Sequence, residues 1–146
     1  VDSFEDKLKK YFEVMVHFYV ANSTLWQIIC FEMLGGTNGC RVEPDGDDFK
    51  VIPRYNSVKV SEETSERILR YHKILHDEYD ILAQLITKAM QDNLLKEDTV
   101  PEITTKFVFF GVAMSIFNQS DDIAADMTDE EAARIITDHF LRGNAR

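Results

Sequence analysis

The chain contains few of the residues that break helices or crosslink loops: six glycines, three prolines and two cysteines in 146 residues. Two cysteines are too few for the disulfide framework of a small secreted domain, so Cys30 and Cys40 are predicted to be reduced thiols in a cytoplasmic protein. With 45% apolar residues, the composition favours a folded, helical globular chain and argues against disorder.

Positive charge is also scarce: the chain has 16 Lys and Arg but 26 Asp and Glu, which gives a net charge of −10. Affinity for nucleic acids comes largely from Lys and Arg on phosphates, so the chain alone is predicted not to bind DNA. The longest apolar stretch, Val14 to Leu34, contains polar side chains such as Asn22 and Glu32. A bilayer-spanning helix is therefore not expected, and no membrane partner is predicted.

The common signatures of catalytic, metal and cofactor sites are missing from the sequence. It has no Gly-rich phosphate loop, no His-Glu-x-x-His, no Cys-x-x-Cys and no Glu-x-x-His. His72 and His76 are four residues apart and can share a metal-binding face, but a solvated, charged helix face explains the spacing better. The sequence thus predicts no enzyme, no catalytic residue, no metal site and no cofactor.

Apolar residues recur at helical spacing in four stretches, so the sequence predicts an all-α fold in one domain over residues 1–146. The predicted helices cover residues 3–34, 62–92, 101–119 and 128–143. Their ends carry N-capping side chains and left-handed C-caps, namely Ser3, Ser61, Thr99 and Thr128 at the starts and Asn93 and Gly143 at two of the ends.

Residues 35–60 interrupt this pattern with glycines and prolines. Arg41–Glu43 and Phe49–Ile52 flank the turn-forming sequence Pro44-Asp45-Gly46-Asp47, which fits a small β-hairpin. An irregular loop fits the same residues equally well.

The helix predicted over residues 101–119 is apolar on two opposite sides, and a helix of that kind is buried all round. One stripe, containing Ile103, Phe107, Phe110 and Met114, is predicted to face inward. The opposite stripe is predicted to join the last helix in a homodimer, as half of a four-helix bundle. The predicted dimer interface is Phe109, Val112, Ala113, Ile116, Ile136 and Phe140.

Aromatic and Met side chains also gather on one face of the first predicted helix, with the amide of Asn22 among them. Because a buried amide needs a hydrogen-bond partner, we predict a cavity for a small apolar or amphipathic effector. The predicted lining is Phe12, Met15, Tyr19, Asn22, Trp26, Tyr79, Phe110 and Met114. The alternative is a solid core in which Asn22 bonds a neighbour.

The helix order and two segments carry a resemblance to a known family. A long helix ending at Asn93 is followed by Leu94-Leu95-Lys96-Glu97-Asp98-Thr99-Val100-Pro101-Glu102, and the final helix closes on Phe140-Leu141-Arg142-Gly143. This pattern resembles the C-terminal effector-binding and dimerisation domain of the tetracycline-repressor (TetR) family of transcriptional regulators. Asn93 stands where that family often has Gly, residues 35–60 are unlike a typical family helix, and no helix-turn-helix precedes residue 3.

The resemblance implies a small-molecule-sensing, dimerising domain of a repressor, which couples ligand binding to DNA release by a helix-turn-helix absent from this chain. Two other classes stay open: a helical protein-interaction module, and a carrier or enzyme for an apolar ligand. The missing acid–base constellation weighs against the enzyme. The adjacency of the two apolar C-terminal helices favours self-association over a foreign partner.

Overall fold

The computed structural model describes residues 2–24, 40–53, 61–117 and 127–146, with backbone alone for 40, 41, 53 and 114–117. These residues confirm a mainly helical fold and add one small sheet. The elements are α1 (Phe4–Ala21), β1 (Cys40–Asp45), β2 (Asp48–Pro53), α2 (Glu62–Gln91), α3 (Pro101–Phe117) and α4 (Asp129–Asn144). None of the described helices is both long and apolar enough to cross a membrane.

The chain divides into two compact units. The helical unit comprises Val1–Ser23 and Tyr79–Arg146, and the hairpin unit comprises Thr24–Glu78. The helical unit therefore contains α1, α3, α4 and the last part of α2, whereas the hairpin unit contains β1, β2 and the first part of α2. That residues 1–146 act as a single domain stays a prediction.

In the helical unit, α1 packs along α4 in the antiparallel direction and more lightly against α3. The rings of Phe4 and Phe140 meet edge to face at one end, with centroids 6.4 Å apart. At the other end, Nδ1 of His17 lies 2.7 Å from Oδ2 of Asp129. The core of this unit consists of buried side chains from all four helices, including Leu8, Phe12, Met15, Tyr19, Leu82, Ile86, Ala89, Phe109, Val112, Ala113, Ala133 and Phe140.

The predicted helix starts are confirmed at three positions. Ser3 and Thr128 form capping boxes, in which each side chain accepts a hydrogen bond from the backbone N–H three residues on. Oγ of Ser61 accepts the N–H of Thr64 at 3.2 Å. The fourth helix, α3, begins at Pro101 as predicted, but its predicted cap is displaced by one residue, because the carbonyl of Val100 and not of Thr99 accepts the first N–H.

Of the two predicted left-handed stops, Asn93 is confirmed, with φ of 56° just after α2. The predicted stop at Gly143 is wrong, because α4 runs on to Asn144 and is capped at Ala145, whose N–H donates to the carbonyl of Leu141 at 2.8 Å. A backbone bridge between Leu95 and Ala145 accounts for the later end of α4. Lys96 N–H donates to the carbonyl of Asn144 at 2.9 Å, so the loop after α2 supplies the partners for this helix end.

The first helix, α1, ends at Ala21, and after a turn at Asn22 the backbone is helical again at Ser23 and Thr24. The helix predicted over residues 3–34 is therefore interrupted at Asn22, and its part from residue 25 on lies outside the described residues. Asn22 caps α1: its backbone N–H and its side-chain Nδ2 both donate to the carbonyl of Phe18, at 3.0 Å and 2.8 Å. A side-chain amide that bonds the backbone of its own last turn competes with continuation of the helix. Residues 25–39, including Trp26, lie outside the described residues.

Of the two alternatives for residues 41–52, the hairpin is confirmed. β1 and β2 pair in antiparallel register, with Arg41 opposite Ile52 and Asp45 opposite Asp48. The two-residue turn between them includes Gly46 at φ of 66°. An added Cβ at Gly46 would meet nothing within 4 Å, so backbone conformation alone favours glycine there.

Candidate functional site

The face of α1 that was predicted to line a cavity is the most buried surface of that helix. Phe12 and Tyr19 are fully buried and Met15 is 2% exposed, whereas Val14 on the opposite side is 57% exposed. Both earlier interpretations, a ligand cavity and a solid core, predict this burial. The helical period therefore identified the inward face correctly without deciding what fills the space beside it.

Asn22 was expected to offer its amide to a ligand. The structure instead places this half-buried residue at the end of α1, where its Nδ2 donates to the carbonyl of Phe18 in the same helix. The donor already has a backbone partner, so the buried-amide argument for a ligand at this position does not hold. The sequence signal that would have shown this is the preference of Asn for helix ends.

Tyr79 is half-buried and joins α2 to α3 through an edge-to-face contact with Phe109, with centroids 5.5 Å apart. Burial raises the pKa of the Tyr79 phenol, and the negative charges of Glu102 and Asp80 raise it further. The hydroxyl is therefore neutral at physiological pH and keeps its proton as a hydrogen-bond donor. Of the predicted lining, Tyr79 is the described residue best suited to hold a polar group.

The two stripes of α3 occupy the reverse of their predicted positions. Phe109, Val112 and Ala113, predicted to meet another chain, are 1%, 9% and 2% exposed and belong to the core of their own chain. Phe107 and Phe110, predicted to face inward, are 74% and 50% exposed. The prediction of the faces was wrong because a helix that is apolar on both sides offers no internal contrast from which to choose.

Polar residues of α3 do not identify the buried face either. Glu102 and Lys106 are exposed and lie on the flank of the helix between its two apolar stripes. Thr105 is buried, and its hydroxyl is satisfied within the helix by donating to the carbonyl of Pro101 at 2.6 Å. A Thr can back-bond in this way, but a Lys or Glu cannot.

Phe140, another predicted interface residue, is 5% exposed and packs on Phe4 of α1 within the same chain. Ile136 is half-buried. The side chains of Met114 and Ile116 lie outside the described residues. The predicted set therefore does not form one exposed surface, because at least four of its six members contribute to the core.

The exposed side of α3 forms an apolar surface of its own. Val100, Ile103, Phe107 and Phe110 are each at least half exposed and recur at three- and four-residue spacing, and we call them the α3 surface. At about 200 Å² for a whole Phe side chain, the two rings alone expose on the order of 250 Å². With Val100 and Ile103 added, the patch reaches the few hundred Å² of the largest apolar patch on a typical monomer, which is often functional.

An open depression of about 430 Å³ also lies along the last part of α2. Five of its six lining residues are polar or charged, and Lys88 among them forms an ion pair with Asp92 at 2.8 Å. The lining residues are Asp80, Ala83, Gln84, Thr87, Lys88 and Gln91. None of these residues belongs to the predicted cavity, so this depression does not represent it.

In the hairpin unit, His72 and His76 pack against the ring of Phe49 from β2. Sequence reasoning missed this contact, because only the tertiary fold brings the hairpin onto α2. Within the described part of the chain, no group of three or more potential ligands is arranged to hold a metal ion. The two histidines therefore take part in packing between elements.

No family model, no curated protein and no solved structure matches this chain. The resemblance to the TetR family therefore rests on the sequence pattern alone and stays a prediction.

Proposed function

We propose that this chain is a dimerising, small-molecule-sensing domain of a transcriptional repressor, and that effector binding in it is coupled to DNA release by a helix-turn-helix segment. The observation that carries the proposal is the exposed α3 surface. A ring that is 74% exposed in the middle of a helix, as at Phe107, is costly in water unless another surface covers it.

The charges around the α3 surface favour a second copy as the partner. Glu102 and Lys106 are exposed, have opposite sign and lie one helical turn apart on the flank of α3, at the edge of the α3 surface. Around a two-fold axis, an antiparallel pair of α3 helices brings Lys106 of one copy toward Glu102 of the other. Such a face is self-complementary, as an isologous dimer interface must be. It also lets two chains of net charge −10 meet at a locally neutral surface.

The proposed interface replaces the one predicted from sequence, since Phe109, Val112, Ala113 and Phe140 are already packed inside their own chain. A stable interface buries about 800 Å² from each partner. The α3 surface supplies the apolar centre of such an area, and neighbouring polar residues would supply the rim.

Effector sensing is supported by the way the helical unit is connected. α1 packs on both α4 and α3, so a ligand beside the buried face of α1 is separated from the α3 surface by a single helix. An effector that binds one α1 position better than another would shift the population of α3 positions and hence the dimer geometry. Tyr79, which contacts Phe109 of α3, would carry the same shift from α2.

Phe107→Glu tests the dimer. We expect the unaltered chain to sediment with twice the 16.9 kDa chain mass at micromolar concentration. The variant should sediment as a folded monomer, because a dimer would bury one new carboxylate from each copy without a charge partner. Val14→Glu is the matched control, since Val14 is also exposed but lies on α1. A monomeric unaltered chain would contradict self-association and favour a protein-interaction module.

The single Trp of the chain, Trp26, provides the test of effector binding. In a panel of apolar and amphipathic small molecules, we expect a saturable change in its fluorescence. Met15→Phe should weaken the response, because it fills space on the buried face of α1, whereas Val14→Ala should not. Equal responses in both variants would place the ligand elsewhere.

A further inference from the structure

The β1–β2 hairpin depends on what it packs against. It has only two strands of six residues each, and an isolated two-stranded hairpin is at best marginally stable in water. Phe49 and Val51 alternate on one face of β2, and Val42 stands opposite Val51 on β1. All three are half-buried, and because Phe49 contacts α2, this is the face through which the hairpin is held.

The contact between the hairpin and α2 centres on one ring. The Phe49 centroid lies 4.7 Å from that of His72, edge to face, and 5.2 Å from that of His76. The two imidazoles are themselves 5.8 Å apart. One apolar side chain thus covers two titratable ones, and any change in their charge acts on the contact that holds the hairpin.

Covering His72 makes its charged form less favourable. Burial lowers the pKa of His72 below its ordinary value of 6.5, and the charge that His76 can carry lowers it further. Release of the hairpin would return water to His72 and remove the larger of these two effects. The packed arrangement therefore binds fewer protons than the released one, and protonation favours release.

The described ionisable groups next to this contact, along α2 or across the β1–β2 pairing, carry both signs. They include Glu43 on β1, Asp48 and Lys50 on β2, and Lys73, Asp77 and Asp80 on α2. Carboxylates and lysines ordinarily titrate on either side of the histidine range. Imidazole is the side chain whose charge ordinarily changes between about pH 7.5 and pH 5.

We propose that the β1–β2 hairpin is an acid-released flap, held on α2 at neutral pH by Phe49 packed against His72 and His76, and freed when His72 takes up a proton. Stability of the packed hairpin is complete above the ordinary histidine pKa and declines as the pH falls below it. The proposal involves the hairpin unit alone and is independent of the function proposed for the helical unit.

Amide hydrogen exchange of the full chain tests the flap. Between about pH 7.5 and pH 5, we expect protection factors in β1 and β2, corrected for intrinsic rates, to fall at least about threefold, while those in α1 change little. The nuclear Overhauser contact between the Phe49 and His72 rings should weaken over the same range. Unchanged hairpin protection with a persistent ring contact at low pH would overturn the proposal.

Two variants separate the charge from the packing. His72→Phe keeps an aromatic side chain against Phe49 and removes the titration, so its hairpin should stay protected at low pH. Phe49→Ala should leave the hairpin unprotected at both pH values and return the titration of His72 to its ordinary range. Lys50→Ala is the control: Lys50 is exposed on β2, so this variant should behave as the unaltered chain. If His72→Phe loses hairpin protection on acidification as the unaltered chain does, His72 is not the switch.

Discussion

Phe109→Ala should lower the free energy of unfolding by about 3–5 kcal/mol, the usual cost of removing a buried Phe side chain. Phe107→Ala, two residues earlier in the same helix, should change the stability of the monomer by no more than about 0.5 kcal/mol, as is usual for an exposed position. The difference follows from burial, because Phe109 is 1% exposed and touches Tyr79, whereas Phe107 is 74% exposed.

Urea unfolding followed by circular dichroism measures both variants. It should be repeated over a range of protein concentrations, because a dimer formed through Phe107 would add concentration-dependent stability. The size of the Phe109→Ala loss at the lowest concentration is the informative value. A larger loss for Phe107→Ala than for Phe109→Ala under those conditions would restore the orientation of α3 that the sequence predicted.

Phe12→Ala should cost about 3–5 kcal/mol in the ligand-free chain, because Phe12 is fully buried between α1 and its neighbours. Val14→Ala is the matched control, since Val14 is 57% exposed on the opposite face of the same helix. The comparison distinguishes the two interpretations of α1: a side chain that lines an open cavity has fewer contacts to lose than one in a solid core.

Thermal unfolding of the two variants, with and without a compound that changes Trp26 fluorescence, completes this test. A large loss for Phe12→Ala without ligand would show that the face is packed in the free chain. The effector would then have to open space beside α1 in order to bind. A loss below about 1 kcal/mol in the free chain, well short of the usual cost for a core Phe, would instead indicate an open cavity.

Local chemistry accounts for the features that the sequence predicted correctly. The starts at Ser3, Ser61 and Thr128 and the left-handed stop at Asn93 depend on side chains that bond backbone groups within a few residues. The hairpin turn at Gly46 is equally local, because one backbone dihedral angle selects the residue. These choices do not depend on what the element packs against.

The features that were predicted wrongly depend on distant residues. The extension of α4 past Gly143 follows from its bridge to the loop after α2, where Leu95 pairs with Ala145, and these residues are 50 positions apart in the sequence. The interruption at Asn22 is the exception, because it is local: the Asn22 side chain donates to the carbonyl of Phe18 in its own last turn.

By itself the sequence determined a mainly helical chain, the bounds of α2, the capped starts and the inward face of α1, because amphipathic periodicity and capping are read from neighbouring residues. Only the tertiary structure decided which side of α3 is buried and that Phe49 lies on His72 and His76. A helix that is apolar on both sides has two equivalent orientations, and for α3 the choice depends on contacts from elsewhere in the chain, such as Tyr79 on Phe109. The contact of Phe49 with the histidines likewise joins residues that are far apart in the sequence. Because the Phe109 side of α3 is buried, the α3 surface around Phe107 became the proposed partner surface.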